Sequence, residues 1–142
     1  MQTLSIPIKI NAPKEKVWKV LWDDTTYRQW TGAFHEGSYA VSDWNEGSKI
    51  LFLGPGGDGG MYSTIAKKIP NEFMSFKHLG EVKDGKEQPT SEWSGAFENY
   101  TLKETAGVTE LTVEIDVTDD FSNYFKDTFP KALEKVKSLA EE

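Results

Sequence analysis

The sequence predicts an α+β fold in which a curved antiparallel sheet covers a long amphipathic C-terminal helix. Three observations carry this reading. Apolar and polar residues alternate near the N-terminus and again through the centre of the chain, the period of half-buried strands. Turn signals separate the central segments, and the final segment switches to helical spacing. Runs of strands bounded by helices argue for α+β layers rather than repeated β-α units.

Leu4, Ile6, Ile8 and Ile10 alternate with Thr3, Ser5, Pro7 and Lys9, giving a first strand with one buried face. Pro7 cannot donate to a ladder, so the strand belongs at an edge or carries a bulge. Pro13 suits the first turn of a helix, and Val17, Trp18, Val20, Leu21 and Trp22 continue it to about Asp23. Asp23, Asp24 and Thr25 are capping residue types, which start a second short helix through Tyr27 and Trp30 to Gly32.

Strands over Ser38–Val41 and Ser48–Leu53 flank the turn Asp43-Trp44-Asn45-Glu46-Gly47. Met61–Ile69 and Phe73–Leu79 flank Pro70-Asn71, Asp84-Gly85 marks another turn, and Ala96–Glu104 and Val108–Val117 flank Ala106-Gly107. Six strands therefore follow the two helices. Asp119 or Asp120 caps the last helix, whose stripe holds Phe121, Phe125, Phe129, Ala132, Leu133, Val136 and Leu139. Pro130 is expected to kink or restart it.

The chain has 142 residues, the size of one domain, and no internal repeat or linker divides it, so residues 1–142 read as a single domain. Cysteine is absent, which removes disulfides and thiol chemistry and fits a reducing, cytoplasmic setting. Sixteen Lys and Arg against 23 Asp and Glu give a net charge of -7, which repels a phosphate backbone, so nucleic acid is not an expected partner. The N-terminus lacks the pattern of a signal peptide and no run approaches the length of a membrane span. The composition suits a monomer with no cofactor. Its unusual feature is aromatic: rings make 13% of the chain, enough to fill a core or line a pocket.

Ile10-Asn11-Ala12-Pro13 followed by Val17-Trp18, then Trp30, Gly59-Gly60-Met61-Tyr62, Pro70 and Phe73, and the tail Phe129-Pro130-Lys131-Ala132-Leu133 through Lys137 and Leu139 form an ordered set. That set resembles the START-related helix-grip superfamily, also called SRPBCC or birch-pollen-allergen-like. Within it the chain is most similar to homologues of the heat-shock-protein-90 ATPase activator C-terminal domain. The resemblance covers essentially the whole chain and implies a deep cavity between sheet and last helix. It implies no single activity, because one fold hosts many functions.

The glycine-rich stretch from Gly54 to Gly60 lacks the Gly-Lys-Ser/Thr ending of a phosphate loop and reads as the turn of a wide hairpin, placed to gate a cavity mouth. His35 and His78 are the only histidines, without metal-ligand spacing around them. His78 alternates with Met74 and Phe76, and Glu98 with Tyr100, so each pair shares a face. Two registers remain open. In one, Glu98 faces solvent; in the other, His78, Glu98 and Tyr100 meet as a polar anchor inside an apolar pocket. Trp30, Tyr62, Phe76, Phe125 and Phe129 complete the candidate ligand-binding set.

Binding of a hydrophobic small molecule, lipid-like or polyketide-like, is the function this set favours. Regulation of a chaperone ATPase is the alternative that the family resemblance implies. A cyclase or hydrolase using His78 as base and Glu98 as orienting carboxylate is the other.

Overall fold

The computed structural model describes residues 1–89 and 93–142. The first strand, β1 (Gln2–Ile10), is followed by two helices, α1 (Lys14–Trp22) and α2 (Asp24–Trp30), and by a 3-10 turn at Thr31–Ala33. Among the described residues seven strands come next: β2 (Tyr39–Val41), β3 (Lys49–Leu53), β4 (Gly60–Ile69), β5 (Phe73–Lys83), β6 (Lys86–Glu87), β7 (Phe97–Thr105) and β8 (Val108–Val117). The helix α3 (Asp119–Ala140) ends the fold.

The strands form one antiparallel sheet in the order β1-β8-β7-β5-β4-β3-β2, with β6 paired to β5. The expected curved sheet, long C-terminal helix and two short helices are all present. One strand more than expected follows the helices, because the turn at Asp84-Gly85 is tight enough to pair Val82 with Glu87.

β1 is an edge, which is why Pro7 is tolerated opposite Thr112. Leu4, Ile6, Ile8 and Ile10 lie opposite Ile115, Val113, Leu111 and the buried Thr109, and the apolar residues of both strands join in one core. Against this sheet α3 sets Phe129, Ala132, Leu133, Val136 and Ala140, all buried.

Three details of α3 differ from expectation. The helix runs through Pro130 without a restart: proline deletes one N–H bond, but its neighbours pack tightly enough to hold the turn. Its N-cap is Thr118, one residue before the aspartates, and Asp119 instead accepts a bond from Gln2 Nε2 at 3.0 Å. Phe121 is 53% exposed and lies off the buried stripe, which Ser122 joins instead.

Candidate functional site

Between α3, the α2 region and the sheet lies a cavity in two chambers. The first, about 350 Å³, lies against α2, the 3-10 turn, β3 and β4; the second, about 250 Å³, lies toward the end of β8 and the start of α3. Gly60, Met61, Glu98, Phe125 and Phe129 line both, so the chambers adjoin at these residues.

The inner face of each strand supplies the walls by alternation. Ile50 and Phe52 face inward from β3, Met74, Phe76 and His78 from β5, and Glu98, Tyr100 and Leu102 from β7. The ladder sets Phe76 opposite Glu98 and Met74 opposite Tyr100. His78 therefore sits diagonal to Glu98, and of the two registers the sequence leaves open, the structure has the inward one.

The polar residues form a continuous chain. Ser63 Oγ is 2.7 Å from His78 Nδ1, His78 Nε2 is 3.0 Å from Glu98 Oε1, and the Tyr100 hydroxyl donates to Glu98 Oε2. Ser63 and Tyr100 are fully buried, His78 nearly so, and Glu98 is 20% exposed at its side chain. Low dielectric strengthens such a chain when each member is paired. The Tyr100 phenol is held well above its ordinary pKa, first by burial and then by the charge of Glu98; Tyr27 is pushed upward by the same two causes.

Rings enclose this chain in two clusters. On the sheet side, Trp22 packs edge-on to Tyr100 at 4.9 Å and to Phe76 at 5.3 Å, and Phe52 lies 5.1 Å from Phe76. On the helix side, Phe34 lies 4.8 Å from Phe129, and Phe125 lies 6.0 Å from Phe129. Trp30 is anchored by its Nε1, which donates to Leu21 O at 3.1 Å. The buried Nε1 of Trp22 has no hydrogen-bond partner among the described residues.

Of the eight residues singled out in the sequence, Trp30, Phe76, Glu98, Tyr100, Phe125 and Phe129 line the first chamber, and His78 lines the second beside Glu98. Tyr62 lines neither. Met61 faces inward, so its neighbour Tyr62 projects from the opposite face, where its ring covers Gly80 and its hydroxyl donates to Gln88 O at 2.7 Å.

Ser63, Met61, Phe52 and Phe34 complete the site without having been singled out. The alternation Met61-Ser63-Ile65 carries the signal for two of them. A bulge that leaves Leu79 unpaired beside His78 then reverses the phase of β5, which turns Glu81 toward the second chamber. The glycine-rich connection is the β3–β4 turn, closed by Gly54 N to Gly59 O at 2.9 Å, and Gly54, Gly59 and Gly60 line the first chamber. Among the described residues, no group of three or more His, Asp or Glu is placed to hold a metal ion.

A model of the Activator of Hsp90 ATPase homolog 1-like protein family matches residues 11–141. The chain belongs to this family. The fold is shared with the Aha1 dimer of Colwellia psychrerythraea, solved in solution, at TM-score 0.78 and 22% identity over 99% of this chain and 97% of that one. CalU16 of Micromonospora echinospora superposes at TM-score 0.69 and 18% identity over 97% and 75%. DynU16, a putative protein of the dynemicin biosynthetic locus, does so at 0.72 and 14% over 97% and 46%. No curated protein matches the chain. These identities establish the fold alone. Among the described residues no helix is long and apolar enough to cross a membrane.

Proposed function

We propose that this member of the Hsp90 ATPase activator homolog 1-like family binds a hydrophobic small molecule, lipid-like or polyketide-like, in the two-chambered cavity and does not transform it. The observation that carries this is the division of labour in the walls. Aromatic rings supply most of the lining of the first chamber, and one buried chain, Ser63-His78-Glu98-Tyr100, supplies the polar anchor. Apolar burial at ~25 cal/mol per Å² drives affinity, while Glu98, reachable from both chambers, orients the ligand.

A hydrolase reading with Ser63 as the nucleophile meets a steric obstacle. Ser63 has the hydrogen bond of an activated nucleophile, but it is fully buried and lines neither chamber. Chaperone regulation is the second reading, favoured by the family to which the chain belongs.

Solvent extraction of the purified protein followed by mass spectrometry tests the main reading. A bound apolar compound, or uptake of an apolar fluorophore that Met61→Trp abolishes, is the expected result. Stimulated ATP turnover by Hsp90, with no compound bound and no fluorophore taken up, moves the assignment to the second reading.

A further inference from the structure

The sign of the charge inside the cavity selects among apolar ligands. Glu98, Glu81 and Asp116 line the chambers, His35 and His78 are the titratable bases, and no described lining residue of either chamber is Lys or Arg. Most helical and strand lysines of the chain point outward, so this bias concerns the cavity and not the composition alone. Asp116 is already occupied: Oδ1 accepts from Thr3 Oγ1 at 2.7 Å and Oδ2 from the Phe97 amide at 2.9 Å. Glu81 is exposed at the rim. Glu98 is the carboxylate held inside.

Each oxygen of Glu98 receives one protein donor, from His78 and from Tyr100. A carboxylate offers about four lone-pair positions and is an acceptor only. The remaining positions therefore suit a group that brings a proton, and repel a second carboxylate. Tyr100, Phe76 and Trp22 line the same chamber, and an aromatic face met by a ligand cation attracts it while disfavouring an anion.

Resting on the reading that the cavity binds a small molecule, we propose that its ligand class is the protonated amine borne on a flat apolar body, with the ammonium donating to Glu98 and the body lodged between the ring clusters. Free fatty acids and other carboxylate-ended lipids are the class the cavity rejects.

Three probes built on one naphthalene body test this: naphthylmethylammonium, naphthylmethanol and naphthylacetate. Their affinities for the full chain are measured by calorimetry at high salt, where attraction to the net charge of the whole molecule is screened. The expected order is cation, then neutral alcohol, then anion, with at least about tenfold between cation and anion.

In Glu98→Gln the cation should lose its advantage over the alcohol. In Met61→Lys, which brings a cation to the junction of the chambers, the order should invert. Because the ranking is first read on the unmodified chain, it stands whether or not Glu98→Gln folds. Binding of the alcohol with no charge order, or with the anion tightest, overturns this inference and leaves the cavity reading in place. Failure of all three probes overturns both.

Discussion

Glu98 takes hydrogen bonds at both oxygens from residues that are themselves buried, and removing either donor leaves one carboxylate oxygen without that partner in an apolar wall. Tyr100→Phe is therefore expected to cost about 1–3 kcal/mol in urea unfolding. Tyr62→Phe is the contrast, since its half-buried hydroxyl donates to a backbone carbonyl on the far face; it should cost under about 1 kcal/mol. Equal losses in the two variants would mean that the chain through Glu98 is not a linked unit. The phenols carry a second expectation. Burial raises Tyr27 and Tyr100 above their ordinary value of 10.0, so the folded state holds protons that the unfolded state releases. Stability contributed by these two groups is complete below about pH 10 and falls as pH rises further. In an alkaline titration, two of the five tyrosines should ionise only as the near-ultraviolet dichroism of the fold is lost. Early, reversible ionisation of all five would contradict their burial. At this scale the inward turn of Glu98 was left open, while the shared faces of His78 with Phe76 and of Glu98 with Tyr100 were legible because alternation within a strand is strict. Ser63 was not, because its meeting with His78 depends on which strand lies beside β5.

Strand β5 shows why alternation alone reaches only part of the site. Counting by twos from Phe76 and His78 would turn Gly80 inward, yet the unpaired Leu79 shifts the count, sets Gly80 under the Tyr62 ring and brings Glu81 to the exposed rim of the second chamber. A bulge has no sequence signature as firm as that of a turn. The β3–β4 turn was readable from its glycines, and one of them is required for more than its φ. At Gly60, with φ of 153°, an added Cβ would lie 2.9 Å from Leu53 Cα and closer still to Phe52 O, both backbone atoms that cannot swing aside. Gly47 also has positive φ, at 86°, but open space lies around it. Gly47→Ala should cost about 1 kcal/mol from strain alone, while Gly60→Ala should cost at least about 3 kcal/mol, near 10 °C in melting temperature. Comparable melting temperatures for the two would show that β3 and β4 do not pair closely at this point. In α3 Pro130 reads as a kink or a restart; the helix continues across it, and the turns on either side are held by Thr128, Phe129, Ala132 and Leu133 in the core.

Across the whole molecule the aromatic excess has divided into two walls facing one space. Trp22, Trp30, Phe76 and Tyr100 belong to the sheet side, and Phe34, Phe125 and Phe129 to the helix side. Composition could not show this division, because rings filling a solid core and rings bounding a void occur at the same strand and helix positions. The difference is the separation of α3 from the sheet near its N-terminal half, where the buried stripe gives way to the half-buried Phe125 and the exposed Tyr124 and Phe121. Toward the C-terminus the helix closes tightly, with Lys137 Nζ donating to Lys9 O at 3.1 Å and Glu141 accepting from the Asn11 amide at 2.8 Å. A ligand that fills the open half should then bridge the two walls and stabilise the fold as a whole. At a hundredfold excess over its Kd, such a ligand adds about 2.7 kcal/mol, worth some 5–10 °C for a domain of this size. Met61 lies where the chambers meet, so Met61→Trp should fill that space and abolish the thermal shift while keeping the native dichroism. An undiminished shift in the folded variant would place the ligand outside the cavity, since no ligand spanning both chambers can share the junction with an indole.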